Sequence, residues 1–414
     1  VLNQYVAHLV DIAIGCTICV LFGSGLFADS APPWVFTADG SAIGMQSGSV
    51  AFFSPQPSAD KERSNNLAKS FSTAHQPQSA DKVGITASLT TTADDPHAIV
   101  RGMTISCQSW GWEWGTDEMV ATMRELKAMG INWIAIHPYA GIRADGTVSS
   151  RHIDNEIETP NWLARPIHEA HNLGLKIMIK PHLAYWGSPF RWRGNIEFET
   201  EEQWDQFFTT YGQWVSKLAE LCRDADAFVV GTELDKTIAH EKKWREVIAD
   251  VRRNFPGPIT YAANWDRYQN VQFWDALDVI GIQAYFPLLE KNDDEDEHRE
   301  PPSASELDAG WARIMKDLHA FSERTGKKIA FTELGYNESA QAPYEPWDHR
   351  QGGHMAPEIQ SLCLDRALRA IQREPDVTGA FLWKWFPGST QRGNFAQARP
   401  NTRKVISENW SQDN

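Results

Sequence analysis

From residue 98 onward the sequence predicts an α/β fold, a closed barrel of eight parallel strands and their helices, on three observations. Eight short apolar runs alternate with amphipathic stretches of helical period. The runs are continuous rather than alternating in polarity, as expected of parallel strands buried on both faces. The first run leads into Cys107-Gln108-Ser109-Trp110-Gly111-Trp112-Glu113-Trp114. It lacks the glycine-rich phosphate turn that an open doubly wound sheet, the rival architecture, places after its first strand.

Taken in chain order, residues 1–30 hold the one long apolar run, 10–27 (VDIAIGCTICVLFGSGLF), followed by Ala28-Asp29-Ser30-Ala31. Small residues at those offsets suit a signal peptidase, although Asp11 interrupts the run and no Lys or Arg precedes Lys61. The expectation is a signal peptide or membrane anchor, and hence a protein that is secreted, periplasmic or membrane-anchored outside the cytoplasm. Residues 31–97 are dominated by Ser, Ala, Thr, Gln, Asp and Pro and keep no period. Such a segment cannot bury enough apolar surface to offset its ordering entropy, so a flexible, disordered linker is expected. The strands follow at 102–106 (GMTIS), 133–137 (WIAIH), 176–181 (KIMIKP), 227–233 (AFVVGTE), 259–264 (ITYAAN), 279–285 (VIGIQAY), 328–333 (KIAFTE) and 379–385 (GAFLWKW). Between them, 117–129, 161–173, 201–222, 242–255, 305–325 and 357–373 read as helices. Eight such units over residues 98–414 fit a single (β/α)8 TIM barrel.

With 39 basic and 54 acidic residues the formal charge is 39 − 54 = −15. No Lys/Arg-rich run exists to bind phosphates, so nucleic acid is excluded as a partner. At 42% hydrophobic and 22% charged the composition is that of a soluble globular protein. Cys16 and Cys19 lie in the N-terminal apolar run; Cys107, Cys222 and Cys363 are an odd remainder that needs no disulfide framework and has no metal-ligand spacing. The acidic run 292–300 reads as a solvated loop or a weak cation site.

In a parallel barrel, chemistry sits at the carboxyl ends of the strands. Those ends carry His137, His182, Glu233, Asn264, Trp265, Tyr285, Glu333, Trp383 and Trp385. Glu233 and Glu333 follow the fourth and seventh runs, which lie across the barrel from each other. Two converging carboxylates are what glycoside hydrolysis needs: one protonated to donate to the leaving oxygen, one ionised to attack or to activate water. Trp110, Trp112, Trp114, Trp186, Trp192, Trp265, Trp347, Trp383 and Trp385 fall in the same loops or strand ends, and flat aromatic faces stack on pyranose rings. Arg191, Arg193, Asn264, His137 and His182 can hydrogen-bond ring hydroxyls. A metal-dependent barrel using His137, His182 and Glu233 is a rival reading, as is a carbohydrate-binding barrel without catalysis.

These residues resemble glycoside hydrolase clan A, the retaining (β/α)8 enzymes, and within it family 113, the β-mannanases. The resemblance rests on Gly102-Met103-Thr104 with its Trp-rich loop, Lys180-Pro181-His182, Trp192-Arg193-Gly194, Val230-Gly231-Thr232-Glu233-Leu234, Ala263-Asn264-Trp265 and Phe331-Thr332-Glu333-Leu334-Gly335-Tyr336. It spans residues 100–410. It implies Glu233 as acid/base, Glu333 as nucleophile and Tyr285 as the tyrosine bonded to that nucleophile. Trp383 or Trp385 would floor the cleavage subsite, with Trp110, His137, His182, Trp192, Asn264 and Trp265 as further substrate contacts. Neither a cofactor nor a metal is implied. The partner is a neutral β-glycan, best matched by β-1,4-mannan, with β-glucan or xylan as alternatives, and a monomer is expected. Many clan members have Asn directly before the acid/base, where it holds the sugar 2-hydroxyl; here that residue is Thr232.

Overall fold

In the computed structural model, which describes residues 35–36, 42–43, 99–291, 301–350, 356–388 and 394–411, eight parallel strands close into a barrel. They are β1 (Val100–Ile105), β2 (Trp133–Ile136), β3 (Lys176–Ile179), β4 (Ala227–Thr232), β5 (Ile259–Asn264), β6 (Ile280–Gln283), β7 (Ile329–Leu334) and β8 (Val377–Trp385). Every run predicted from the sequence forms one of them, with ends that move by no more than two residues. Each strand pairs with its neighbours in chain order, and β8 closes on β1 from Gly379↔Val100 to Trp385↔Ile105.

The predicted helices are α1 (Asp117–Ala128), α2 (Asn161–Asn172), α3 (Glu201–Leu221), α4 (Glu241–Asn254), α5 (Ala304–Thr325) and α6 (Pro357–Arg373). A seventh, α7 (Pro400–Trp410), follows β8 and was not expected, because its stretch is polar and weakly periodic; Pro at its first turn was the available signal. Between β5 and β6 only 3-10 turns occur, at Tyr268–Asn270 and Trp274–Ala276. The start of α3 is fixed by a capping box, Thr200 with Gln203, and that of α5 by Ser303 with Glu306. Gly326 in the left-handed region ends α5.

Two layers of apolar packing hold the barrel. Ala135, Met178, Val229, Ala262 and Phe381 fill its interior. The Phe381 ring lies so close to Gly102 that a Cβ there would come within 2.5 Å of it, so β1 must carry glycine at that point. Outside, strands and helices share a continuous core that includes the wholly buried Trp114, Trp244, Trp311 and Trp385. Short strands Tyr139–Ile142, Val148–Ser149 and His182–Leu183 form a small sheet of their own beyond β2 and β3. Too brief to show a sequence period, they were not expected.

The signal-like segment 1–30 and the acidic run 292–300 lie outside the described residues. So does the linker 31–97, except for a two-residue antiparallel ladder between Val35–Phe36 and Ala42–Ile43. No helix among the described residues is long and apolar enough to cross a membrane.

Candidate active site

Glu333 is the fifth residue of β7 and is 4% exposed. Its two oxygens are held from opposite sides. The Tyr285 hydroxyl donates to Oε2 at 2.7 Å. The Lys180 ammonium, buried completely, ion-pairs with Oε1 and also donates to the Thr332 carbonyl at 3.1 Å. Burial lowers the Lys180 pKa, an effect that the neighbouring Glu333 opposes. A carboxylate with both oxygens bonded to donors is fixed in rotation, and the ion pair compensates the charge that burial would otherwise leave exposed to a low dielectric.

Glu233 follows β4 in a different way. Its φ of 54° is the sole positive value of a non-glycine residue among the described residues. Such a backbone costs an L-residue about 1–2 kcal/mol and persists because its surroundings hold it. The Glu233 N–H donates to the Ala262 carbonyl at 2.9 Å, and the next N–H, from Leu234, donates to the Tyr261 hydroxyl at 3.0 Å. At Oε2 the carboxyl receives Arg193 Nη1 at 3.3 Å and Trp192 Nε1 at 3.4 Å. Trp192 can reach it because its ring folds over Gly194, where a Cβ would lie 2.2 Å from ring atoms. Burial raises the Glu233 pKa first and foremost; Arg193 opposes this, and the negative charge of Glu333 adds to it.

Around the two carboxyls stand His182, Trp383, Asn264 and Asp235. Arg193 Nη1 lies 3.1 Å from His182 Nδ1. Arginine only donates, so Nδ1 accepts and the His182 proton sits on Nε2, which faces Glu333 Oε1 at 3.8 Å. His182 stacks on His137 with ring centres 4.9 Å apart, and both pKa values fall well below the usual range, by burial first and then by nearby cations. Lys180 and Arg193 surround these imidazoles with positive charge, which disfavours a divalent ion beside them. Asn264 Nδ2 donates to both Asp235 oxygens, at 2.9 and 3.0 Å, which leaves its Oδ1 as the acceptor available to a ligand. Burial pushes Asp235 up to about 7. The Thr232 hydroxyl, next to Glu233, is buried without a hydrogen-bond partner among the described residues.

Aromatic side chains extend from this centre in two directions. Trp110 contacts Tyr139, His152 and Trp186, and the exposed Trp112 meets His152. On another side Trp265 stacks on the exposed Trp347 with centres 5.3 Å apart. Beside Trp192, a cleft of 600 Å³ is lined by Asn195, Asp235, Arg267 and Asn270 among others.

Three expectations need correction. Trp385 is 1% exposed and packs in the core, with Arg403 over its ring, so it does not reach the mouth. The two-residue alternation that put it on one side with Trp383 is broken by a register shift, Trp383 pairing with Thr104 and Trp385 with Ile105. Trp383, partly exposed and 6.0 Å from the His182 ring, takes the mouth position. His137 has no exposed surface, being enclosed by Trp114, Tyr139, His182 and Trp383, so it supports the chamber from behind. Trp114 is likewise buried, its indole N–H spent on the Ile105 carbonyl. Sequence reasoning passed over Lys180, Asp235 and Lys384, and gave Arg193 only a hydroxyl-binding role. A lysine closing an apolar run, as in KIMIKP, was the signal for the first.

Paired carboxyls among aromatic rings at the carboxyl end of a parallel barrel define the class of barrel glycosidases. The profile of Glycoside Hydrolase Family 113 matches residues 103–402, and the chain belongs to that family. Among solved structures, the family 113 β-mannanase AaManA of Alicyclobacillus acidocaldarius, in complex with ManMIm, is 27% identical, with a TM-score of 0.64 over 76% of this chain and 97% of that one. A family 113 β-1,4-mannanase complex at 22% identity (TM-score 0.63, covering 76% and 99% of the two chains) shares the fold. So does a Ruminococcus gnavus β-glucuronidase at 14% identity (TM-score 0.51, 76% and 50%). Among curated proteins no match is found.

Proposed function

We propose that this glycoside hydrolase is a retaining β-mannanase that cleaves β-1,4-linked mannose polymers by double displacement. Glu333 attacks the anomeric carbon while Glu233 delivers its proton to the departing glycosidic oxygen, and a covalent glycosyl-enzyme forms. Glu233, now ionised, takes a proton from water, which attacks the same carbon and releases Glu333. The observation that carries this reading is the contrast between the carboxyls. Glu333 is clamped by donors at both oxygens, Lys180 at one and Tyr285 at the other. Glu233 is held toward its protonated form by burial and by the charge of its partner.

Trp383 is the flat surface for the sugar undergoing cleavage. Asn264, its amide nitrogen taken by Asp235, offers Oδ1 to the 2-hydroxyl that an Asn in place of Thr232 would otherwise hold. Mannose as the sugar rests on the AaManA likeness and on this departure at the 2-position. Action outside the cytoplasm rests on the apolar run at 10–27.

The test is reducing-sugar release by the purified chain from β-mannan, glucomannan, β-glucan and xylan. We expect release from the two mannans with the product first formed as the β-anomer by NMR, loss to background in Glu333→Gln, and azide rescue of Glu233→Ala. Release from glucan or xylan alone overturns the sugar assignment. Inversion at the anomeric carbon, or turnover by Glu333→Gln, overturns the mechanism.

A further inference from the structure

Two cations at the mouth pair with the two catalytic carboxyls, and a third has no such partner among the described residues. Lys180 pairs with Glu333 and Arg193 with Glu233, two cations for two carboxyls. A third cation, Lys384, stands between Trp383 and Trp385 on β8 and is only partly exposed. Its backbone is fixed, the N–H donating to the Phe395 carbonyl at 2.9 Å and the carbonyl accepting from the Gln397 N–H at 3.0 Å. Its Nζ lies 5.1 Å from the centre of the Trp383 ring and 5.2 Å from that of Phe386. No hydrogen bond or ion pair to this Nζ occurs among the described residues. The charge of Glu333 acts on Lys384 from a distance, but no carboxylate among the described residues bonds to it. Burial pushes the Cys107 thiol far above its usual range, so it stays neutral. Glu113, on the same loop, is occupied by the Gln108 N–H and the Ser109 hydroxyl.

Lys384 belongs to the same chamber as the reaction centre. It shares the Trp383 ring with Lys180, whose Nζ is 5.0 Å from that ring. Its charge acts on His137 and His182, and the charge of Glu333 acts on it. A half-buried ammonium between aromatic rings, with no anion bonded to it, gains when a ligand brings one.

We propose that Lys384 is the recognition point for a sugar carboxylate, so that the glycan taken at this mouth carries uronate units next to the cleaved bond. This rests on the glycosidase reading above and adds to it the charge of the substrate. One unpaired cation matches one carboxylate, rather than a dianionic phosphate. The ammonium is a compact charge on a flexible stem, suited to a carboxyl that rotates about the C5–C6 bond. Apolar walls on two sides strengthen the charge-assisted hydrogen bond. The protein's net charge of −15 opposes binding of a continuous polyanion. The ligand is therefore a largely neutral chain with isolated uronates.

The experiment compares two probes, β-1,4-mannopentaose and the same oligosaccharide partly oxidised to the carboxylate at C6. Both are titrated by tryptophan fluorescence against the full chain carrying Glu333→Gln, which blocks turnover. We expect the oxidised probe to bind about tenfold more tightly at low salt and to lose that advantage as salt rises. Lys384→Met should abolish the ratio, and Lys384→Arg should restore much of it in a protein whose melting temperature reports that it is folded. Tighter binding of the neutral probe, binding of neither, or a ratio that survives Lys384→Met overturns the proposal. Hydrolysis of neutral mannan by the unmodified chain is measured separately, so failure of the carboxylate subsite and failure of the mannanase reading are told apart.

Discussion

At Glu233 burial and two charged neighbours act on one proton. Burial and the charge of Glu333 favour the protonated form, whereas Arg193 at 3.3 Å favours the ionised one. The acid/base must carry its proton when substrate arrives, so kcat/KM falls as pH rises through the Glu233 pKa. Removing Arg193 takes away the opposing cation and raises that pKa further. Arg193→Met should therefore move the alkaline limb of the kcat/KM profile to higher pH. It should also lower the plateau by about tenfold or more, because Glu233 and His182 lose the donor they share. A lowered plateau with an unmoved limb would mean that Arg193 only packs. The residue that best shows tension between fold and function is also Glu233, whose left-handed backbone is strain at a site where geometry matters more than stability.

Among the elements, β8 does the most for the site. It closes the barrel against β1, its bulge turns Trp383 toward the mouth and Trp385 into the core, and Lys384 stands between them. Closure requires Gly379, whose φ is 134° and whose added Cβ would meet the Val100 carbonyl oxygen at 2.1 Å. Gly379→Ala should cost about 2 kcal/mol or more through strain and separation of β8 from β1. Thermal denaturation reads this as a lower melting temperature, with activity per folded molecule retained. The strands were legible in the sequence because parallel strands are unbroken apolar runs, and Glu233 and Glu333 because each run ends in a charge. The ordering of Trp383 and Trp385 was not, since period-two reasoning fails across a bulge. Lys180 was missed for a related reason: its function depends on meeting Glu333 from β7, a contact 153 residues away in sequence. The burial of His137 likewise depends on rings from four separate segments.

On the scale of the molecule, the ladder that closes the barrel begins at Val100, and the chain divides into compact units at Thr86 and Ala87. Everything that holds the reaction centre lies beyond that division: Lys180 on the loop after β3, Glu233 after β4, Tyr285 after β6, Glu333 on β7 and Trp383 on β8. Even the edge of β1 is tied within this unit, Asn132 Nδ2 donating to the Ile99 carbonyl at 3.0 Å and its Oδ1 accepting from the Arg101 N–H at 2.7 Å. A chain of residues 97–414 should therefore fold alone and hydrolyse soluble mannan oligosaccharides with kcat/KM within about twofold of the full chain. Deletion through residue 105 removes β1, leaves β2 and β8 with open edges, and should give no cooperative melting transition. Equal loss of activity in both truncations would instead assign residues 1–96 a part in the catalytic unit, and the barrel ladder would then be an incomplete account of what folds.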